Sequence, residues 1–335
     1  IADGSNRLPP GRFPQQPRPT PAGEWHDRPP LRHAAMVERE RGRVKRKRRN
    51  GWVTVLLHGT RRTGHASVMG EGFDIDRIGG MRAMRALEAV VLRAGDAAVR
   101  HFERGVIPEK KPDRSPVTAA DRDVEEAIWK HVMAAYPHAE FFGEETGRHG
   151  DNAELRFIVD PIDGTRAFIR GLPTWSVLVG IEAQGVPVAG IAYMPAAGDL
   201  FVAVHGNGAT HNGVPVHVSG VSPLSDATVT HGCLQQFTEA GVGDALVRLA
   251  DATDSARGFP DFDGYRQVLL GRSDAMIDPG VKPYDICAAA ILVREAGGRF
   301  TSLEGQETIY GGSAIASNGL IHDELVALLS STARR

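Results

Sequence analysis

The sequence predicts a layered α/β protein in which a half built mainly of strands precedes a half in which strands and helices alternate. Apolar residues recur at helical spacing over 84–102, which indicates an amphipathic helix at the start of the folded chain. The middle of the chain holds apolar runs of strand length, such as 175–181. After about residue 225, short apolar runs alternate with helical patterns, which is typical of an α/β arrangement.

Two helices come first. The helical periodicity predicts one over about 81–104, and a loop interrupted by prolines follows it. Thr118 then opens a second helix, with Asp121 three residues later as a carboxylate of the capping-box type. Apolar residues at helical spacing give this second helix a buried face.

The middle of the chain is predicted to be β. Strands are expected at 156–159, 176–183, 188–194 and 200–204. The dipeptide Asn212-Gly213 favours a two-residue hairpin turn before a further strand at 214–218.

In the last third of the chain, the longest helix is predicted at about 284–296, and Gly297 and Gly298 are expected to end it. A final helix is expected at about 321–329. We place the boundary between the two halves of the fold near residue 220, so that the halves are 81–220 and 221–335.

Residues 1–80 show no hydrophobic period, and the first fifty are rich in Pro and Arg. We therefore expect them to be a disordered or non-native N-terminal extension, translated upstream of a start at Met69 or Met81. The basic run 41–49 leaves two alternatives open. One is a tether to nucleic acid or membrane, and the other is an organelle-targeting peptide.

The charge of the chain is unevenly distributed. Residues 1–50 hold 13 Lys and Arg against 5 Asp and Glu, which leaves 26 against 36 in the remainder. This acidic body argues against broad nucleic-acid binding. In an enzyme for anionic substrates, bound divalent cations would account for the acidic excess. No apolar run reaches the ~18 residues that a membrane span requires.

The segment Asp-Pro-Ile-Asp-Gly-Thr at 160–165 is the most informative part of the sequence. Asp160 ends a predicted strand, and we expect Pro161 to prevent that strand from continuing in the centre of a sheet. Asp160 and Asp163 can face one cation on such a turn, and the Ile162 carbonyl can add another oxygen. Magnesium prefers hard oxygen ligands of this kind.

The same segment also predicts a phosphate site. Gly164 and Thr165 would begin a helix or turn whose amide groups face outward, and such a terminus binds phosphate. The alternative is an ordinary surface turn, because Asp-Pro and Asp-Gly favour turns in any protein.

Two further acidic segments strengthen the metal interpretation. Glu144 and Glu145 follow a short apolar run, where adjacent carboxylates are costly unless a cation neutralises them. Asp285 begins the long helix of the last third. The alternatives are an exposed acidic loop for the two glutamates and simple helix capping for Asp285.

These three segments, in this order, resemble the signatures of the inositol monophosphatase family of metal-dependent phosphatases. The family signatures are similar to D-P-I/L-D-G-T and W-D-x-A with G-E-E upstream, which here correspond to 160–165, 284–288 and 143–145. The resemblance extends from about Met81 to Leu329. Within the family, the stretches 115–121, 164–175, 282–285 and 311–319 look most like the histidinol-phosphatase branch.

The resemblance implies an αβαβα sandwich of the inositol monophosphatase and fructose-1,6-bisphosphatase kind, which is often a homodimer. It implies two or three magnesium ions as cofactors. The first ion would be held by Glu144, Asp160 and the Ile162 carbonyl, and the second by Asp160, Asp163 and Asp285. These assignments follow from the matching of motifs.

The resemblance also implies catalytic and substrate-binding roles. Glu144 and Thr165 would position and deprotonate the attacking water, and Asp121 would support a third, weaker metal site, partly through water. Contacts with substrate or phosphate are implied for Asp163, Gly164, Thr165, Asp261 and Asp285.

Three departures from the family pattern concern the substrate. Tyr284 stands where the family has Trp, the segment 259–265 differs from the expected form, and Asp278 stands where an acidic residue near the substrate is usually Glu. Of the histidines, His231 is the one we expect to approach a substrate. The departures leave the reaction type unchanged and the substrate open.

Three functional hypotheses follow. The first is hydrolysis of histidinol phosphate, and the second is hydrolysis of inositol 1-phosphate or a broader range of sugar phosphates. The third, more remote, is a non-catalytic binding protein. For the enzyme we expect a small phosphate monoester as substrate, a homodimer in the cytoplasm, and no nucleic-acid or membrane partner.

Overall fold

The computed structural model describes residues 75–112, 115–150 and 154–330, together with the backbone of 37–40, 43–48 and 51–56. The chain divides into two compact units, Ile1–Val68 and Met69–Arg335. In the first unit, the described residues form a three-stranded antiparallel sheet of β1 Val37–Glu40, β2 Arg43–Arg48 and β3 Gly51–Leu56, where the sequence predicted no regular structure. The proposed start at Met69 lies outside the described residues.

The second unit contains all the remaining elements, after a short 3-10 turn at Ile75–Ile78. Its helices are α1 Gly80–Arg104, α2 Ala119–Ala135, α3 Thr165–Ile169, α4 Leu234–Glu239, α5 Asp244–Ala252, α6 Asp261–Leu269, α7 Pro283–Glu295 and α8 His322–Ser330. Its strands are β4 Glu109–Lys110, β5 Pro116–Val117, β6 Glu140–Gly143, β7 Gly147–His149, β8 Leu155–Asp163, β9 Ser176–Ala183, β10 Val186–Met194, β11 Asp199–Val204, β12 Ala209–His211, β13 Val214–Pro215, β14 Thr228–His231, β15 Ser255–Gly258, β16 Ala275–Pro279, β17 Arg299–Thr301 and β18 Ser313–Ser317.

The second unit is an αβαβα sandwich, which confirms the predicted fold class. An eight-stranded sheet has the order β13-β12-β11-β10-β9-β8-β6-β7, and a five-stranded sheet has the order β15-β14-β16-β18-β17. Helices α1 and α2 cover the outer face of the large sheet, α6 and α7 lie between the sheets, and α4, α5 and α8 cover the small sheet. Among the described helices, none is both long and apolar enough to cross a bilayer.

Local sequence signals account for several element boundaries. Thr118 caps α2, and its backbone amide donates to the Asp121 carboxylate as in the predicted capping box. Asn212 and Gly213 have φ values of 50° and 77°, which suit the two-residue turn between β12 and β13. Gly297, with φ 89°, follows the end of α7.

Two strand predictions were wrong. β8 does not end before Pro161 but continues to Asp163 between β6 and β9 in the large sheet. The pairing register with β9 shifts between Asp160 and Asp163, so the proline lies in an irregular stretch where no regular ladder bond is needed. The strand predicted at 214–218 is also shorter, because regular pairing stops at Pro215.

The large sheet and the small sheet fall on either side of the predicted boundary near residue 220. In chain order, β13 is the last strand of the large sheet and β14 is the first strand of the small sheet. The division into halves at that residue remains a prediction, because the second unit is one compact body.

A pair of glycines lets α7 approach the large sheet closely. Gly180 on β9 and Gly190 on β10 are directly opposite each other in the sheet. A Cβ atom at Gly180 would lie 2.3 Å from the Cys287 Sγ atom, and one at Gly190 would lie 2.7 Å from the Ile291 side chain. Because α7 carries Asp285 in its first turn, this close packing also fixes how deep that carboxylate lies.

We predict that Gly190→Ala destabilises the protein by about 1–3 kcal/mol, because the added methyl group must push α7 away from the sheet. The measurement is the free energy of unfolding from urea titration. Gly220→Ala is the matched control, because a Cβ atom there meets nothing within 4 Å. Equal stability of the two variants would show that α7 does not depend on this close approach.

Candidate active site

The carboxyl ends of two parallel strands bring the first two predicted acids together. Gly143 at the end of β6 pairs with Val159 on β8, and Glu144 and Asp160 are the residues that follow these two. The Glu144 amide donates to the Val159 carbonyl at 3.1 Å, which continues the pairing by one residue. The register therefore places Glu144 beside Asp160.

Three aspartates form a compact cluster at this edge of the sheet. Asp160 and Asp163 come from the irregular end of β8, and Asp285 comes from the first turn of α7. One carboxylate oxygen from each lies within 4.8 Å of the other two. Asp160 and Asp163 are buried, and Asp285 is half-buried.

Protein donors hold all three carboxylates in place. The Asp160 Oδ1 atom accepts a hydrogen bond from the Ile162 amide at 3.1 Å. The Asp163 Oδ2 atom accepts hydrogen bonds from the Ser176 hydroxyl and the Phe262 amide, each at 2.9 Å. The Asp285 Oδ2 atom accepts from the Lys282 amide at 2.6 Å and so caps the start of α7. Capping and membership of the cluster, which the sequence posed as alternatives for Asp285, are thus both present.

The cluster is electrostatically costly as it stands. Burial and the nearby acids raise the pKa of Asp160 and of Asp163 well above the usual range. Burial is also the main cause that raises the pKa of Asp285, to about 7. A divalent cation would offset both the burial and the repulsion, and three carboxylate oxygens are the donor set that magnesium prefers. The residues present therefore fit the metal implied by the sequence.

Glu144 lies beside this cluster and is paired with a lysine. The Lys111 ammonium donates to Glu144 Oε1 at 2.8 Å and lies 2.6 Å from Glu145 Oε1. Burial lowers the pKa of Lys111, but its bonds to the two glutamates outweigh this effect and raise the pKa overall. Burial raises the pKa of Glu145 to about 7, although Lys111 opposes the shift. The metal-binding role of Glu144 remains a prediction.

Glu125, which the sequence did not point to, holds the loop that carries Glu144 and Glu145. The Glu125 carboxylate is fully buried on α2 and accepts from the amides of Glu145 at 3.0 Å and Thr146 at 2.8 Å. A Cβ atom at Gly143 would lie 2.4 Å from this carboxylate, so the loop needs glycine there. The sequence does offer a signal for Glu125, because this glutamate stands four residues after Asp121 and next to apolar residues on the buried face of the helix.

Asp121 is not one of the three clustered aspartates, and its carboxylate is bonded to the start of its own helix. Its Oδ2 atom accepts from the Thr118 amide at 2.8 Å and from the Thr118 hydroxyl at 2.6 Å. Its Oδ1 atom is buried and has no hydrogen-bond partner among the described residues. Burial is the main cause that raises the pKa of this carboxyl. The unpartnered oxygen is the atom that would serve the predicted weaker metal site.

The predicted phosphate site begins at a tight turn. Gly164 has φ +81°, and a Cβ atom there would lie 2.9 Å from the Asp261 Oδ2 atom, so both backbone conformation and space require glycine. Helix α3 begins at Thr165, as the sequence predicted. The Thr165 hydroxyl donates to the Ile162 carbonyl at 3.0 Å, which ties the turn to the end of β8.

These groups line one cavity of about 650 Å³. The predicted site residues in its wall are Glu144, Asp160, Ile162, Asp163, Gly164, Thr165, Asp261 and Asp285. Of the predicted site residues, Asp121 is not among those that line the cavity. His231, which we expected to approach a substrate, lies in the wall.

Two more acids line the cavity beyond the aspartate cluster. Asp261 opens α6 with a positive φ of 51°, and burial raises its pKa to about 6, while Arg166 opposes the shift. Asp278 is buried, and its Oδ2 atom accepts from the Tyr265 hydroxyl at 3.3 Å. Burial and the Asp285 charge raise the pKa of Asp278 well above its usual value.

Comparison with known proteins agrees with this geometry. The sequence pattern of the inositol monophosphatase family matches residues 82–334. A histidinol-phosphatase of Mycobacterium tuberculosis is 38% identical over 228 residues, which are 67% of this chain and 88% of that protein. A histidinol-phosphatase of Streptomyces coelicolor is 37% identical over 255 residues, which are 73% of this chain and 96% of that protein.

Two further similarities extend beyond that branch. An inositol-1-monophosphatase of Mesorhizobium japonicum is 33% identical over 217 residues, which are 63% of this chain and 81% of that protein. The crystal structure of the extragenic suppressor protein suhB of Bartonella henselae superposes with a TM-score of 0.69 at 30% identity. That superposition covers 75% of this chain and 99% of suhB.

We predict that magnesium binding releases protons near neutral pH and becomes tighter as the pH rises. The raised pKa values mean that the metal-free cluster holds protons at pH 6, and the cation must displace them. Titration calorimetry at pH 6 in buffers of different ionisation enthalpy should show release of about one proton per bound ion. At pH 8 the release should fall, since Asp285 is then ionised before the metal arrives.

Asp163→Asn is the comparison for this measurement. It removes one charge from the cluster, so we expect magnesium affinity to fall by at least about 10-fold. Magnesium binding that is independent of pH between 6 and 8, with no proton release, would contradict the proposed metal site.

Proposed function

Because the chain belongs to the inositol monophosphatase family and is therefore a metal-dependent phosphomonoesterase, we propose that it hydrolyses histidinol phosphate to histidinol and phosphate. The observation that carries this proposal is the pair of acids, Asp261 and Asp278, that face the cavity in addition to the metal cluster. The relatives with the higher identities are named for the same activity.

The two acids suit a substrate with a positive charge. Histidinol phosphate carries an ammonium group beside its phosphate ester, whereas inositol phosphate carries only neutral hydroxyl groups there. A buried carboxylate such as Asp278 is costly without a cationic partner, and a substrate ammonium would supply one. Asp261, with a pKa of about 6, is ionised at neutral pH and can contribute to the same attraction.

In the proposed mechanism, Glu144, Asp160 and the Ile162 carbonyl would hold one magnesium ion, and Asp160, Asp163 and Asp285 would hold a second. Bound magnesium supplies Lewis-acid stabilisation of the phosphoryl oxygens and lowers the pKa of a water molecule. The chain would contribute the amides of Gly164 and Thr165 at the start of α3, which face the negative charge of the phosphate.

The attacking water would be positioned by Glu144 and Thr165. The Glu144 carboxylate would accept its proton, and the Thr165 hydroxyl, fixed by its bond to the Ile162 carbonyl, would orient it. Lys111, which donates to Glu144 Oε1 at 2.8 Å, would hold that carboxylate in place. Asp121 would hold a water molecule or a weaker metal through its unpartnered oxygen.

Hydrolysis of inositol 1-phosphate is the second candidate, because a relative with that name is also similar to the chain. The remote alternative of a non-catalytic binding protein is not proposed further, because the chain belongs to the inositol monophosphatase family and its three aspartates form the predicted cluster. We also propose a homodimer in the cytoplasm, for which the family resemblance is the support. Sedimentation velocity of the purified protein tests the oligomeric part.

The substrate is tested by kcat/KM for histidinol phosphate against inositol 1-phosphate, both with saturating magnesium. We expect a preference for histidinol phosphate of at least about 10-fold, because a cationic substrate pairs with the buried acids. A preference for the inositol ester of about 10-fold or more would overturn the proposed substrate and favour the second candidate.

One variant distinguishes a role in substrate recognition from a role in the hydrolysis of any phosphate ester. Asp278→Asn should lower kcat/KM for histidinol phosphate by at least about 10-fold and change that for inositol 1-phosphate by less than about 3-fold. Asp251→Asn on the exposed face of α5 is the control and should change neither. Equal losses for both substrates in Asp278→Asn would show that this carboxylate does not recognise the ammonium.

A further inference from the structure

The first five residues of helix α6 supply three polar groups, which face the cavity or bond to acids in its wall. Asp261 lies against Gly164, the Phe262 amide donates to Asp163 Oδ2 at 2.9 Å, and the Tyr265 hydroxyl donates to Asp278 Oδ2 at 3.3 Å. The placement of α6 on the large sheet therefore decides whether these groups meet their partners.

Arg266, the next residue of the same helix, forms a charged attachment to the large sheet. Its Nη2 atom lies 2.5 Å from Oδ2 of Asp199, the first residue of β11. Its Nη1 atom donates to Asp263 within α6 at 2.9 Å. The guanidinium thus joins the helix to a strand that is distant from the metal cluster.

The acceptor of this pair is itself held in place. Asp199 is buried, with 8% of its surface exposed, and its Oδ1 atom lies 2.6 Å from the His211 Nε2 atom on β12. The His211 ring stacks on Phe201 at a centroid distance of 4.7 Å. The carboxylate is therefore a fixed point on the sheet and not a mobile surface group.

We infer that Arg266 is a positioning residue, which acts through its ion pair with Asp199 to hold α6 so that Asp261 and the Phe262 amide reach the catalytic cavity. The helix then has two polar attachments one turn apart. The Phe262 amide reaches the end of β8, and Arg266 reaches β11. Three strand spacings, about 14 Å, separate these strands in the sheet.

Apolar packing alone would not fix the helix in this way. Phe262 packs against Phe201 with ring centroids 5.9 Å apart, but contacts of this kind tolerate sliding and rotation. The ion pair between the half-buried Arg266 and the buried Asp199 adds a charged attachment to one defined point of the sheet, at an N···O distance of 2.5 Å. It would also help to maintain the positive φ of Asp261, a backbone conformation that is uncommon for a non-glycine residue.

The test compares Arg266→Met and Asp199→Asn with the wild-type chain. We expect hydrogen exchange at the start of α6 to accelerate at least 3-fold in both variants, measured by mass spectrometry on peptides that cover 259–269. We expect kcat/KM for p-nitrophenyl phosphate to fall at least 10-fold. The combined variant should be no worse than either single variant, because the two residues act as one pair.

Arg299→Met is the matched control, because Arg299 also pairs with an aspartate of another element, Asp323 on α8, at 2.5 Å. It should leave exchange in α6 and kcat/KM unchanged. Arg266→Lys keeps the charge and should recover at least a third of the lost kcat/KM.

Two results would overturn the inference. One is exchange and kcat/KM in Arg266→Met and Asp199→Asn that match those of Arg299→Met. The other is exchange that accelerates equally throughout the chain, which indicates general destabilisation only. If Arg266→Met fails to fold, the isosteric Asp199→Asn decides alone. The inference needs phosphomonoesterase activity but not the proposed substrate, so loss of the histidinol phosphate preference would leave this comparison intact.

Discussion

The repulsion between buried carboxylates is the constraint on which the rest of this structure depends. Asp160, Asp163 and Asp285 each place an oxygen within 4.8 Å of the other two in a region largely removed from water. Without a cation, such an arrangement shifts the carboxyl groups toward their protonated forms, as their raised pKa values indicate. A divalent cation stabilises the ionised carboxylates. Relief of the repulsion between them therefore adds to the free energy of metal binding.

The sandwich supplies the rigidity that this arrangement needs. Asp160 and Asp163 lie on an internal strand of an eight-stranded sheet, and Asp285 begins a helix that approaches the sheet closely over Gly180 and Gly190. Neither the strand nor the helix can move away without loss of packing. The second half of the fold also supplies Asp261 on α6 and Asp278 on β16, so acids from the large sheet, from the helices between the sheets and from the small sheet meet at one cavity.

Much of this was predictable from sequence because the signals are local. Helical periodicity located α1, and Thr118 and Asp121 marked the start of α2. The fold class and the aspartates were expected from motifs that occupy only a few residues each. The continuation of β8 through Pro161 was not predicted, because a proline in the sequence signals the end of a strand. Only the pairing with β9 shows that the hydrogen-bond ladder is irregular at this point.

The missed groups share a different property, which is that their partners are remote in sequence. Glu125 supports the loop after β6, Lys111 pairs with the glutamates of that loop, and Arg266 reaches β11. No local pattern reports such pairings, since they exist only once the layers have assembled.

The central claim is that the three aspartates bind one divalent ion between them, and anomalous scattering from crystals grown with Mn²⁺ tests it most directly. The account predicts an anomalous peak within coordination distance of carboxylate oxygens from Asp160, Asp163 and Asp285. An active, manganese-loaded enzyme whose anomalous peaks all lie elsewhere would contradict it.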